Sequence, residues 1–112
     1  MNKIEAIIRP HKLEELRNAL EEVGLHGMTV SEVRGFGRQR GHSEVYRGRE
    51  YTVSFQPKVK IEIMVASDMT DQVVDTIREA VNTGQVGDGK IFISTISDAV
   101  RIRTGERGND AL

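Results

Sequence analysis

Lys58-Val59-Lys60-Ile61-Glu62-Ile63-Met64-Val65 alternates without a break. Val59, Ile61, Ile63 and Val65 fall on one side and Lys58, Lys60, Glu62 and Met64 on the other, the pattern of a strand with one face in a core. Beyond it, Asp68 stands where a helix N-cap is expected. Val73, Val74, Ile77, Ala80 and Val81 follow at i, i+1, i+4, i+7 and i+8, one face of an amphipathic helix. The loop Thr83-Gly84-Gln85-Val86-Gly87-Asp88-Gly89-Lys90 then leads into Ile91-Phe92-Ile93, and a strand is predicted from Lys90 to Ser94. This is one β-α-β unit.

An equivalent unit precedes it. Ile4, Ala6 and Ile8 alternate with Lys3, Glu5 and Ile7 in a strand that Arg9-Pro10 ends. Leu13, Leu16, Leu20 and Val23 recur at helical spacing among Glu14, Glu15, Arg17, Glu21 and Glu22, and Gly24 stops that helix. Met28-Thr29-Val30-Ser31-Glu32-Val33 predicts a second strand ending near Gly35. Two such units in tandem predict an α+β, ferredoxin-like fold, with a four-stranded antiparallel sheet and both helices on one face. The uncovered face is expected to carry Ile and Val that pack against other copies of the chain, making a homo-oligomer.

The chain has 112 residues, enough for a single domain spanning 1–112. It contains no run near the ~18 apolar residues that span a membrane, and Glu5 interrupts any secretory leader, so a soluble, cytoplasmic protein is expected. Zero cysteines exclude disulfides and thiolate chemistry, and His11, His26 and His42 are too dispersed for a zinc site. A net charge of -1 argues against wholesale nucleic-acid binding.

Function is therefore sought in local placement of charge. Three glycines within residues 84–89 expose backbone N–H groups and permit positive φ, so the loop can fold around an anion, with Lys90 adding a cation. Gly84 to Lys90 also spells G-x-x-x-x-G-K, but Ile91 stands where a P-loop needs Ser or Thr, and a strand follows where it needs a helix. The bland alternative is a glycine-rich turn.

Residues 36–57 form a connection too long for a compact domain without a purpose. It holds Tyr46 and Tyr51, and sets Arg38, Arg40, Arg47 and Arg49 against Glu44 and Glu50. An extended hairpin built on Tyr51-Thr52-Val53-Ser54-Phe55 is the structural expectation there, formed with particular ligands or partners. Near the C-terminus, Val100-Arg101-Ile102-Arg103-Thr104-Gly105-Glu106 alternates; if extended, it sets Arg101 and Arg103 about 6.7 Å apart on one side, suited to neighbouring phosphates. Arginines on a solvated face are the plainer account.

With these residues assembled, the chain resembles the PII family of nitrogen-regulatory signalling proteins over essentially its whole length. Thr83-x-x-x-Gly-Asp-Gly-Lys-Ile-Phe-Ile is similar to the family's C-terminal signature, and Arg101-Ile-Arg-Thr-Gly105 to its third ligand loop. Tyr46-Arg-Gly-Arg-Glu-Tyr51 is similar to the modification motif of its long T-loop. The resemblance implies a homotrimer with a T-loop at about 36–57, a B-loop at about 82–90 and a C-loop at about 101–109. ATP or ADP would bind between neighbours through Gly37, Arg38, Gly87, Asp88, Gly89, Lys90, Arg101 and Arg103, with Thr29, Glu62 and Met64 around adenine and ribose. Mg2+, held by Gln39, would link ATP to 2-oxoglutarate, which Lys58 and backbone near Gly41 and Gly87 would complete.

The implied function is non-catalytic. ATP/ADP and 2-oxoglutarate set the T-loop, and the T-loop binds targets such as an ammonium transporter, N-acetylglutamate kinase, or a uridylyl- or adenylyltransferase. Tyr51 is the residue that some bacterial relatives uridylylate. Arg49 replaces the family's usual Ala or Ser, so phosphorylation of a serine there is impossible, and Ser54 replaces a usual acidic residue. A nucleotide hydrolase using Gly84 to Lys90 is the enzymatic alternative, and it lacks a water-activating group beyond the isolated Glu62 and Asp88. An RNA-recognition module shares the element order, but Phe92 is the only aromatic expected on the strands.

Overall fold

The computed structural model describes residues 1–37 and 55–112 in full, and 43–46 and 49–52 as backbone. Strand β1 (Asn2–Ile8) leads to helix α1 (Leu13–Glu22) and strand β2 (Thr29–Phe36). The hairpin β3 (Ser43–Tyr46) and β4 (Arg49–Thr52) precedes β5 (Phe55–Val65), α2 (Thr70–Val81) and β6 (Lys90–Thr95). The main sheet runs β2-β5-β1-β6 with every neighbour antiparallel, and β3 and β4 pair separately. This is the ferredoxin-like order. It places the end of β1 beside the start of β6, with Ile7 opposite Lys90.

The core is the helix-side face that the alternation marks. Ile4, Ala6 and Ile8 of β1 and Val59, Ile61, Ile63 and Val65 of β5 are buried against Leu16 and Leu20 of α1 and Val73, Ile77 and Val81 of α2. Each buried Val, Leu or Ile among them contributes about 1.5–3 kcal/mol. Gly24 ends α1 at φ +90: its N–H donates to the Glu21 carbonyl at 3.0 Å, and that of Leu25 to Leu20 at 3.0 Å. The crossed pair is a Schellman cap, which requires the left-handed residue.

Four expectations are corrected. Asp68 does not cap α2: it lies in a 3-10 turn, Ser67–Met69, and Met69 precedes the helix without a side-chain cap. Strands β2 and β5 run on to Phe36 and Phe55, adding two aromatics to the sheet, and these rings pack at 5.7 Å. Pro57 is accommodated because β1 pairs with β5 only from Val59 onward, so among the described residues one edge of β5 has no partner strand there. The hairpin takes in Tyr51 and Thr52 as expected, pairing them with Glu44 and Ser43, but its strand starts at Arg49; Val53 and Ser54 lie outside the described residues.

The uncovered face carries Ile7 opposite Lys60 and Val33 opposite Lys58, with charged side chains between and beyond them. Lys3 pairs with Glu62 at 3.1 Å and with Glu5 at 3.7 Å, and Lys60 with Glu62 at 3.7 Å. Glu5 and Glu62 stand directly opposite each other, a like-charge pair that Lys3 offsets by contacting both carboxylates. The fourth correction is the segment from Val100. It does not extend; the Gly105 N–H donates to the Arg101 carbonyl at 2.8 Å and the Arg101 N–H to Glu106 at 2.9 Å, closing a turn bridged by Val100 and Arg107. Asp98 braces it by accepting from Arg107 Nε and the Ala99 and Gly108 amides.

Candidate functional site

The glycine loop fills the gap between α2 and β6 and is tied down from within. The Asp88 carboxylate accepts from the Thr83 amide at 2.8 Å, the Gly84 amide at 2.9 Å and the Thr83 hydroxyl. Arg9 Nε donates to the same carboxylate at 3.1 Å, and Arg9 Nη2 to the Val86 carbonyl at 2.8 Å. The Thr83 hydroxyl is the first reason that Asp88 sits well below the usual carboxylate range; the Thr83 amide, Arg9 and the Gly84 amide add to it against the cost of burial. Gly87 and Gly89 hold φ of +101 and +102, the conformation for which glycine is needed.

Lys58 reaches this loop from β5. It is buried, and its ammonium donates to the Gly87 carbonyl at 2.5 Å. Burial pushes its pKa below the ordinary lysine range, nearby Arg9 pushes the same way, and Asp88 partly restores it. Ile7, Gly35, Phe36, Gly37, Gln56 and Phe92 complete a cleft of about 650 Å³ with Lys58 and residues 85–90. An anion entering it meets glycine amides, a buried ammonium and the exposed Lys90.

Of the residues singled out in the sequence, the cleft gathers Gly37, Lys58, Gly87, Asp88, Gly89 and Lys90. Asp88 contributes through its place in the loop, because its carboxylate is already engaged. Thr29, Glu62 and Met64 lie elsewhere: Thr29 pairs with Glu62, and Met64 with Lys3, towards the opposite end of the sheet. Glu62 lies four residues along β5 from Lys58, a span of roughly 13 Å. It is held below the usual carboxylate range first by the hydrogen bond from Lys3.

The C-terminal segment leaves the sheet at that same far end, where the Ile96 amide donates to the Met1 carbonyl at 3.1 Å. Neither Arg101 nor Arg103 lines the cleft; Arg101 donates to Glu106 at 3.3 Å and to the Leu112 carbonyl at 3.2 Å. Arg38, Gln39 and Gly41 fall outside the described residues, and Tyr51 is described by its backbone in β4. Arg9, Ile7 and Gln56 were missed. The predicted topology was the signal that could have found Arg9, since it sets the end of β1 against the loop before β6.

A hydrolase needs a carboxylate free to activate water. Asp88 is fully engaged and Glu62 is paired with Lys3 and Lys60 away from the cleft, and strand β6 follows the loop where a P-loop has a helix. The fold and cleft together define a ferredoxin-like domain with a glycine loop at one end of its sheet.

The family model described as Nitrogen regulatory protein P-II matches residues 1–106. Proteins named Nitrogen regulatory protein P-II from Bradyrhizobium diazoefficiens and Rhizobium meliloti are 61% and 57% identical over 112 residues, covering the whole of each chain. A crystal structure of Arabidopsis thaliana PII bound to citrate superposes with a TM-score of 0.82 at 43% identity, over 99% of this chain and 91% of that one. The chain belongs to the P-II family, and its function is nitrogen-regulatory signalling, with no catalytic step.

Proposed function

We propose that the protein senses adenine nucleotide and 2-oxoglutarate as a homotrimer in the cytoplasm, and passes the result to target proteins through residues 36–57. One observation carries the reading: the predicted ligand residues divide between the two ends of the sheet. Lys58, Gly87, Gly89 and Lys90 form a cleft at one end, whereas Thr29, Glu62, Met64, Arg101 and Arg103 belong to the other. A nucleotide held by both groups must therefore lie between copies, with phosphates at the glycine loop of one and the base at the far end of the next.

Lys58 suits the effector. A buried ammonium that already binds a carbonyl oxygen exchanges that acceptor for a carboxylate at little further desolvation cost. The Arabidopsis PII was solved with citrate, another polycarboxylate. Mg2+ would use Gln39 together with oxygens of ATP and 2-oxoglutarate, the donor set that a hard cation takes. Ammonium transporters, N-acetylglutamate kinase and uridylyl- or adenylyltransferases are the target classes, and Tyr51 is the candidate modification site. A coupling of about 1–3 kcal/mol between effector and target sites suffices for a switch of about 5- to 150-fold.

Calorimetric titration of ATP with and without Mg2+ and 2-oxoglutarate, with the molar mass measured in the same buffer, tests the reading. Trimers that bind ATP, and bind 2-oxoglutarate only with MgATP, are expected. A monomer indifferent to adenine nucleotide overturns it.

A further inference from the structure

The charge that organises the glycine loop comes from the end of β1. Arg9 spans residue 87: Nε holds the Asp88 carboxylate on one side and Nη2 the Val86 carbonyl on the other. Lys58 holds the Gly87 carbonyl between them. Among the described residues every peptide bond is trans. In a planar trans peptide the N–H points opposite to the C=O. With the carbonyls of Val86 and Gly87 drawn onto Arg9 and Lys58, the N–H groups of Gly87 and Asp88 are turned the other way. Asp88 cannot swing to release them, because Thr83 and Gly84 grip the carboxylate as well.

We propose that Arg9 is a positioning residue for nucleotide binding, aiming the Gly87 amide at the anion by clamping the Val86 carbonyl and the Asp88 carboxylate, beside the Asp88 amide that Lys58 turns through the Gly87 carbonyl. The inference rests on the nucleotide-binding reading above and adds a residue to it. The guanidinium is suited to this because its donors form a rigid fork that serves two acceptors at once; a lysine at position 9 serves one. The side chain of Arg9 is 15% exposed, so the pair with Asp88 is shielded from the screening that weakens surface ion pairs.

The test combines Arg9→Gln, Asp88→Asn and the double variant, with Arg9→Lys as the conservative change. Each single variant is expected to weaken MgATP binding on the order of tenfold, and the double variant no further, because both remove one clamp. Arg9→Lys should fall between Arg9→Gln and the unaltered chain. In the nucleotide-free protein, the amide resonances of Gly87, Asp88 and Gly89 should shift in Arg9→Gln, while those of Ile61 and Ile77 in the core stay in place. Additive losses of about a hundredfold in the double variant, or unchanged affinity and unshifted loop amides in Arg9→Gln, overturn the proposal. If Arg9→Gln fails to fold, Asp88→Asn and Arg9→Lys carry the same comparison. An unaltered chain that binds no ATP removes the nucleotide reading itself, and this role with it; binding with an inert Arg9→Gln removes this inference alone.

Discussion

Gly89 touches Ile7 through its backbone: a Cβ on Gly89 would stand 1.7 Å from the Ile7 carbonyl oxygen. Strand β1 therefore serves as the wall against which the glycine loop is laid, and the loop can close down only because residue 89 has no side chain. Gly84 has a positive φ of +78 but open space around its Cβ position. Gly89→Ala should cost about 2–4 kcal/mol in urea unfolding, and Gly84→Ala about 1–2 kcal/mol, the left-handed penalty alone. Equal midpoints for the two variants would contradict the contact.

Lys58 supplies a pH dependence. Burial favours its neutral form, so its pKa lies below the ordinary lysine range, while a bound carboxylate favours the ammonium. Binding of 2-oxoglutarate with MgATP should therefore take up protons as the pH rises through the lowered pKa, and affinity should fall over the same range. Calorimetry in buffers of different ionisation enthalpy reads the uptake. Lys58→Met should keep the fold and lose both the effector response and the uptake.

Asp88 behaves in the opposite sense. Its depressed pKa means that its stabilising bonds are complete above the unfolded carboxylate range and are lost only as the pH falls through the strongly acid region. Loop geometry should therefore be constant between about pH 5 and 8. Thr83→Val removes the largest contribution, and the Asp88 carboxyl, followed by carbon NMR, should then titrate at higher pH than in the unaltered chain.

Dividing the ligand residues between the two ends of the sheet predicts complementation. Lys90→Ala and Arg101→Ala should each weaken ATP binding. Mixed trimers refolded from the two variants should recover some tight sites, because a cleft with intact Lys90 then meets a neighbour with intact Arg101. Recovery reads as a second, high-affinity phase in the titration; its absence argues that one copy holds the whole site.

Much of this was legible in the chain. Alternation over Lys58 to Val65 marked the core face of β5, and the spacing of Leu13, Leu16 and Leu20 and of Val73, Ile77 and Val81 marked the helices. Periodicity reports which side of an element is buried, and that is a local property. The caps were less legible. Asp68 has the chemistry of an N-cap, but the chain turns through a 3-10 segment before α2, and composition does not register a one-turn shift. The alternation of Val100 to Glu106 misled for a related reason: an unpaired segment with Gly105 at φ +75 closes on itself when Asp98 offers it a carboxylate.

The sequence by itself determined the two β-α-β units, the buried faces and the glycine loop, because each depends on residues near one another along the chain. Only the tertiary structure decided that Arg9 and Lys58 bind loop carbonyls 77 and 29 residues away along the chain. It also decided that Lys3, Glu5, Lys60 and Glu62 form a charge network on the uncovered sheet face and that Arg101 lies away from the cleft. These follow from the order in which antiparallel strands lie side by side, which brings distant residues to one edge or parts them to opposite ends.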